Sequence, residues 1–179
     1  MKIVILIITL ALYLIPAASR GDSESPAYDS HTLQLSIPSV DSSTQPGAFQ
    51  DAVFEYLPNG FWRLAEYIDG ITIKFIDSVE LIKTSTFPVQ VFLKISGKFT
   101  NGCLAFGRVG HRLANNTFDV FIYYDNAVFG SPGTICSTNV TSFTKVIPLP
   151  VYDLNPGTYT YKVNTAFGGT FTLQSKNGF

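Results

Sequence analysis

The sequence is poor in the residues that most chemistry needs. It has two histidines, two cysteines, one methionine and one tryptophan, and charged residues make up only 14% of its 179 positions. No run of Lys or Arg could neutralise a row of phosphates, and the formal net charge is −1, which speaks against a nucleic-acid partner. Hydrolysis through an activated nucleophile needs a positioned base. His31 lies in a Ser/Asp-rich stretch and His111 in a loop rich in Gly and Arg, so neither stands in such a setting. No Ser sits in a strand–turn–helix elbow, and Gly107, Gly110, Gly168 and Gly169 have turn explanations rather than a phosphate-cradling one. With no His near either Cys, a metal pair has no further ligands, and no cofactor is implied.

Apolar and aromatic side chains are abundant: 46% of the chain is hydrophobic, with fifteen Phe and nine Tyr. Such rings suit a pleated surface, and the length favours one domain. At the amino terminus Lys2 precedes an apolar run from Ile3 to Ile15. Pro16 ends the run and Ala17-Ala18-Ser19 follows, which reads as a secretory signal spanning 1–19 and cut after Ser19. The run is shorter than the roughly 20 residues of a membrane-spanning helix, so no permanent membrane anchor is expected after cleavage. A secreted chain with Cys103 and Cys136 is expected to pair them. Free thiols are the alternative.

Residues 20–47 read as a flexible Ser/Asp/Pro-rich linker in which Leu33, Leu35 and Ile37 alternate like a short edge strand. Residues 48–70 form an extension with conflicting signals. Phe61, Leu64, Ala65 and Ile68 have helical spacing, whereas Asn59-Gly60 marks a hairpin, and the short helix is the reading adopted. From residue 71 to 179 the period is two. Val89, Val91, Leu93 and Ile95 share a face, as do Phe118, Val120, Ile122 and Tyr124, then Tyr159, Tyr161 and Val163, then Phe171 and Leu173. Turn residues separate these runs, so the expected fold is an all-β, antiparallel, Ig-like sandwich of about seven strands. Leu154-Asn155-Pro156-Gly157-Thr158-Tyr159 places a tight turn before a strand-opening Tyr, which points to a tyrosine corner at Tyr159.

From about Ser78 to Leu173 the chain resembles Ig-like modules of bacterial exported proteins and lipoproteins. The resemblance rests on Phe87-Pro88-Val89-Gln90-Val91, Gly97, Asn101-Gly102-Cys103, Asn116-Thr117-Phe118-Asp119-Val120 and Cys136. It continues through Ile147-Pro148-Leu149, Val151-Tyr152-Asp153-Leu154, Gly157-Thr158-Tyr159-Thr160, Val163-Asn164 and Phe171-Thr172-Leu173. It implies an extracytoplasmic sandwich with paired cysteines and carries over no catalytic residue. The lipid-anchoring Cys of the group is absent, and two glycosylation sequons, at Asn115 and Asn139, belong to a eukaryotic secretory pathway.

The sequence therefore points to a non-catalytic interaction module with a protein or glycan partner. Its candidate contacts are two aromatic groups: Tyr56, Phe61, Trp62 and Tyr67, and then Phe121, Tyr123 and Phe129. Two rivals stand beside it. One is a protease inhibitor presenting a loop near 124–135. The other is a weak hydrolase using Glu66, Asp69 or His111, where Glu66 and Asp69 share a face only on a helix.

Overall fold

A computed structural model describes residues 25–125 and 135–179. The leader assigned to 1–19, its cut site, Phe129 and most of the 124–135 loop lie outside the described residues. Among the described residues there are eleven strands and no helix.

The alternating segment around Leu93 becomes β6 (Val91–Phe99), which turns Val91, Leu93, Ile95 and Phe99 inward. It is the middle strand of a three-stranded antiparallel sheet between β5 (Ile76–Lys83) and β9 (Thr141–Leu149). The facing sheet has the order β11 (Phe167–Leu173), β10 (Gly157–Val163), β8 (Thr117–Tyr124), β7 (Phe106–Ala114). Phe118, Val120, Ile122, Tyr159, Tyr161, Val163, Phe171 and Leu173 project from it onto Val91, Leu93, Ile95, Ile147 and Leu149. Each large apolar side chain buried there contributes about 1.5–3 kcal/mol. These seven strands make the expected sandwich, and Tyr159 lies within it, its hydroxyl donating to Asn155 O at 2.9 Å.

One strand pair departs from the antiparallel rule. After β8 the chain crosses to β9 in the other sheet before returning as β10, so β10 is free to run parallel to β8, from Thr160↔Thr117 to Val163↔Val120. It then stops at Asn164, whose left-handed φ of 45° suits an Asn. Beyond that point residues 71–73 take over as the neighbour of β8. Ile73 N–H donates to Ile122 O and Tyr124 N–H to Ile71 O, both at 2.8 Å. The Asn164 amide joins the two neighbours, accepting from Ile122 N–H at 2.8 Å and donating to Ile73 O at 2.8 Å.

Residues 25–70 correct the reading of a linker and a helix. They form a four-stranded meander of β1 (Ala27–Asp29), β2 (Gln34–Val40), β3 (Phe49–Tyr56) and β4 (Trp62–Asp69). The Asn59-Gly60 signal was the decisive one. Gly60 has φ +86°, and Asn59 Oδ1 accepts from Phe61 N–H at 3.2 Å. The helical spacing is a by-product of a bulge. Phe54 opposes Leu64 but Val53 opposes Glu66, so Ala65 is an inserted residue that shifts the period of two.

The segment joining β2 to β3 covers the outer face of β7 and β8. Gly110 lies against Pro46 so closely that a Cβ there would collide with the Pro46 carbonyl. Arg108 pairs with Asp51 at 2.7 Å, and Arg112 donates to the Ser42 and Ser43 carbonyls. Tyr123 is the centre of this contact. It is fully buried, donates to Pro46 O at 2.6 Å and accepts from Gln45 Nε2 at 2.9 Å. This corrects its assignment as a ligand contact: it does lie opposite the core, but another part of the chain covers it.

Tyr123→Phe removes both bonds while leaving the ring, and should destabilise the fold by about 1–3 kcal/mol and open residues 41–48 to limited proteolysis. An unchanged digestion pattern would show that the hydroxyl does not fasten the segment. Burial also holds the Tyr123 pKa above the ordinary tyrosine value. Because the folded state favours the neutral hydroxyl, its stabilisation is complete below the unfolded-state pKa and is lost as pH rises through the raised folded one.

Candidate functional site

Directly opposed residues of a ladder share a face, so the register of the N-terminal sheet defines its two sides. One row reads Tyr28, Leu35, Phe54, Leu64, and the adjacent row on that side holds Tyr56 and Trp62. The intervening row, Asp29, Gln34, Glu55, Arg63, faces the other way and carries an ion pair between Arg63 and Glu55 at 2.8 Å. The sheet is therefore amphipathic, yet of its four strands only Gln50 and Ala52 are buried.

Trp62 is the hub of the apolar side. Its ring meets Tyr56 edge-on at 5.2 Å and Tyr28 at 6.2 Å. The three remain 45%, 44% and 56% exposed, so their rings touch one another and still offer a surface. Tyr28 is positioned by the turn after β1, where the Asp29 carboxylate accepts from His31 N–H at 2.8 Å and Thr32 Oγ1 at 2.9 Å. Those bonds, the His31 N–H first, hold the Asp29 pKa below its usual value. The structure thus brings Tyr56 and Trp62 together and adds Tyr28. Phe61 stands exposed at the hairpin tip, and Tyr67 packs instead on Phe49, with ring centroids 4.8 Å apart. Of the second aromatic group, Phe121 is half-buried opposite Gly110 and Tyr123 is covered.

A second feature lies on the open side of the sandwich, between the edge strands β7 and β9. Two adjoining hollows of about 300 and 270 Å³ share His111 and Pro148 and are lined by Val109, Lys145, Val146 and Tyr152 among others. Lys145 Nζ lies 5.5 Å from the centre of the Phe106 ring.

The residues named for hydrolysis are not gathered. Glu66 and Asp69 lie on β4, where a three-residue separation sends side chains to opposite faces, and His111 is on β7 in another sheet. Among the described residues no group of three or more His, Cys, Asp or Glu could hold a metal ion, and no helix is long and apolar enough to cross a membrane. Cys103 and Cys136 are bonded, with Cα atoms 5.2 Å apart. Asn115 is exposed in the two-residue turn between β7 and β8, with φ 48°, and Asn139 is exposed just before β9. Where the 124–135 loop is described, Tyr124 is buried at the end of β8 and Ile135 is exposed.

Comparison with known proteins supports the sandwich and little more specific. The family model of the ORF11 beta-sandwich domain matches residues 93–173. The chain is 27% identical over 89 residues to the Uncharacterized 10.2 kDa protein in HgiCIIM 5'region of Herpetosiphon aurantiacus, an alignment covering 50% of this chain and 89% of that protein. No solved structure matches. Neither match identifies an Ig-like module of bacterial exported proteins; the family model is that of a β-sandwich domain, and residues 93–173 lie in the part that follows the aromatic sheet.

Proposed function

We propose that the chain is an exported, non-catalytic interaction module whose contact surface is the apolar side of the N-terminal sheet. The observation that carries this reading is the exposed trio Tyr28, Tyr56 and Trp62 on a sheet that buries almost nothing of its own. Contiguous exposed apolar patches on a folded protein mark interaction sites, and rings that already pack on one another lose little freedom when a partner arrives. The disulfide supports an oxidising compartment. A protein or a glycan fits such a surface, since aromatic rings stack on sugars as well as on side chains.

The test is affinity capture with the oxidised protein against extracellular and envelope fractions, together with a glycan array. Trp62→Ala and Tyr56→Ala are expected to lose the retained ligand, by about tenfold or more in affinity for a central aromatic contact, while melting as the parent does. Equal binding by both variants would place the contact elsewhere.

A further inference from the structure

We propose that the occupant of this surface is a second copy of the same chain, docked head to tail. In this arrangement the free edge of β4 in one copy lies along the free edge of β9 in the next, beside the hollows at His111. The inference rests on the proposed function and names its partner.

The first argument is charge. Residues 25–70 carry six carboxylates against Arg63 alone, a net −5, whereas residues 71–179 carry nine Lys and Arg against five Asp and Glu, a net +4. A molecule divided in this way attracts its own copies end to end and repels them acid to acid. The acidic unit is equally ill-suited to an anionic membrane. The contact inside one chain already obeys this pairing, through Arg108 and Asp51 at 2.7 Å.

The second argument is the ladder. Among the described residues β4 and β9 each end their sheet with one side unpaired, and they have eight and nine residues. Unpaired edges of this length are templates for another strand. Pro148, which has no N–H to give, limits pairing at the end of β9.

The side chains agree with this pairing. β4 presents Trp62, Tyr67 and Ile68, each close to half exposed, and the β9 side presents Val146 at 50% and Tyr152 at 58%. Among the described residues Glu66 and Asp69 on β4 have no ion pair, and Lys145 on β9 has none either, lying by the Phe106 ring. Because the two patches differ, the contact does not close on itself as a two-fold dimer would, and it can extend beyond two copies.

Sedimentation velocity of the oxidised protein at low salt tests this. The expected result is concentration-dependent association that includes species beyond the dimer and weakens as salt is raised. Glu66→Lys and Lys145→Glu should each weaken association about tenfold, since like charges then meet across the contact. An equimolar mixture of the two variants should restore it. A chain that stays monomeric at every concentration overturns the proposal, and so does a dimer indifferent to Lys145→Glu, which would be β4 closing on β4. If the monomeric chain still retains another ligand through Trp62 and Tyr56, the inference falls and the proposed function stands. If neither association nor ligand is found, both fall.

Discussion

Replacing Asn177 with alanine is expected to lower the stability of the folded protein by about 3–5 kcal/mol, although it lies outside every strand. Its side chain is 2% exposed, and all its polar capacity is directed inward. Oδ1 accepts from Val89 N–H at 2.7 Å, and Nδ2 donates to Val89 O and Val151 O, both at 2.9 Å. The main chain adds Asp153 N–H to Asn177 O and Asn177 N–H to Leu154 O, again at 2.9 Å. One amide thus fixes the start of β6, the turn after β9 and the tail together. Alanine strands a donor and two acceptors around a buried side chain, and the cost of leaving each unmet exceeds what the bond gained in forming. Urea unfolding with the parent alongside checks this. A loss under about 1 kcal/mol, no more than one ordinary hydrogen bond, would mean that water replaces the amide.

The second large effect concerns the disulfide. Cys103 and Cys136 are 33 residues apart in sequence and join the connection between β6 and β7 to the segment before β9. Their bond restricts the unfolded chain more than the folded one, and for a closed loop of this length the restriction is worth about 3–4 kcal/mol. The Cys103→Ser/Cys136→Ser protein should therefore unfold at a clearly lower denaturant concentration than the oxidised parent. The parent in reductant should behave like the double variant. Coincident midpoints for oxidised and reduced parent would show that the bond contributes no net stability. The two losses should be close to additive, because the Asn177 contacts and the disulfide share no partner.

Most of the sandwich was legible because alternation is a local signal. Val91, Leu93 and Ile95, or Tyr159, Tyr161 and Val163, declare a strand and its inner face within a few residues. What was not legible depends on distant parts of the chain. Alternation places Tyr123 on the side of β8 opposite Ile122, but not that residues 41–48 cover that side. The bulge at Ala65 breaks the period in the one strand where a helix was read. Tyr28 sits in a strand of three residues, too short to show any period. Asn164 follows the outward-facing polar positions of its strand and Asn177 lies among polar and Gly residues, and nothing adjacent reveals which carbonyls their amides will meet. The parallel run of β8 and β10 depends on a crossing between sheets that residue spacing does not record.

The bond between Cys103 and Cys136 also makes the chain topologically a ring with two tails. Strands β7 and β8 lie wholly on that ring. A single cut anywhere from residue 104 to 135 divides the polypeptide but not the molecule. The two pieces travel as one on a non-reducing gel and part only when a thiol is added.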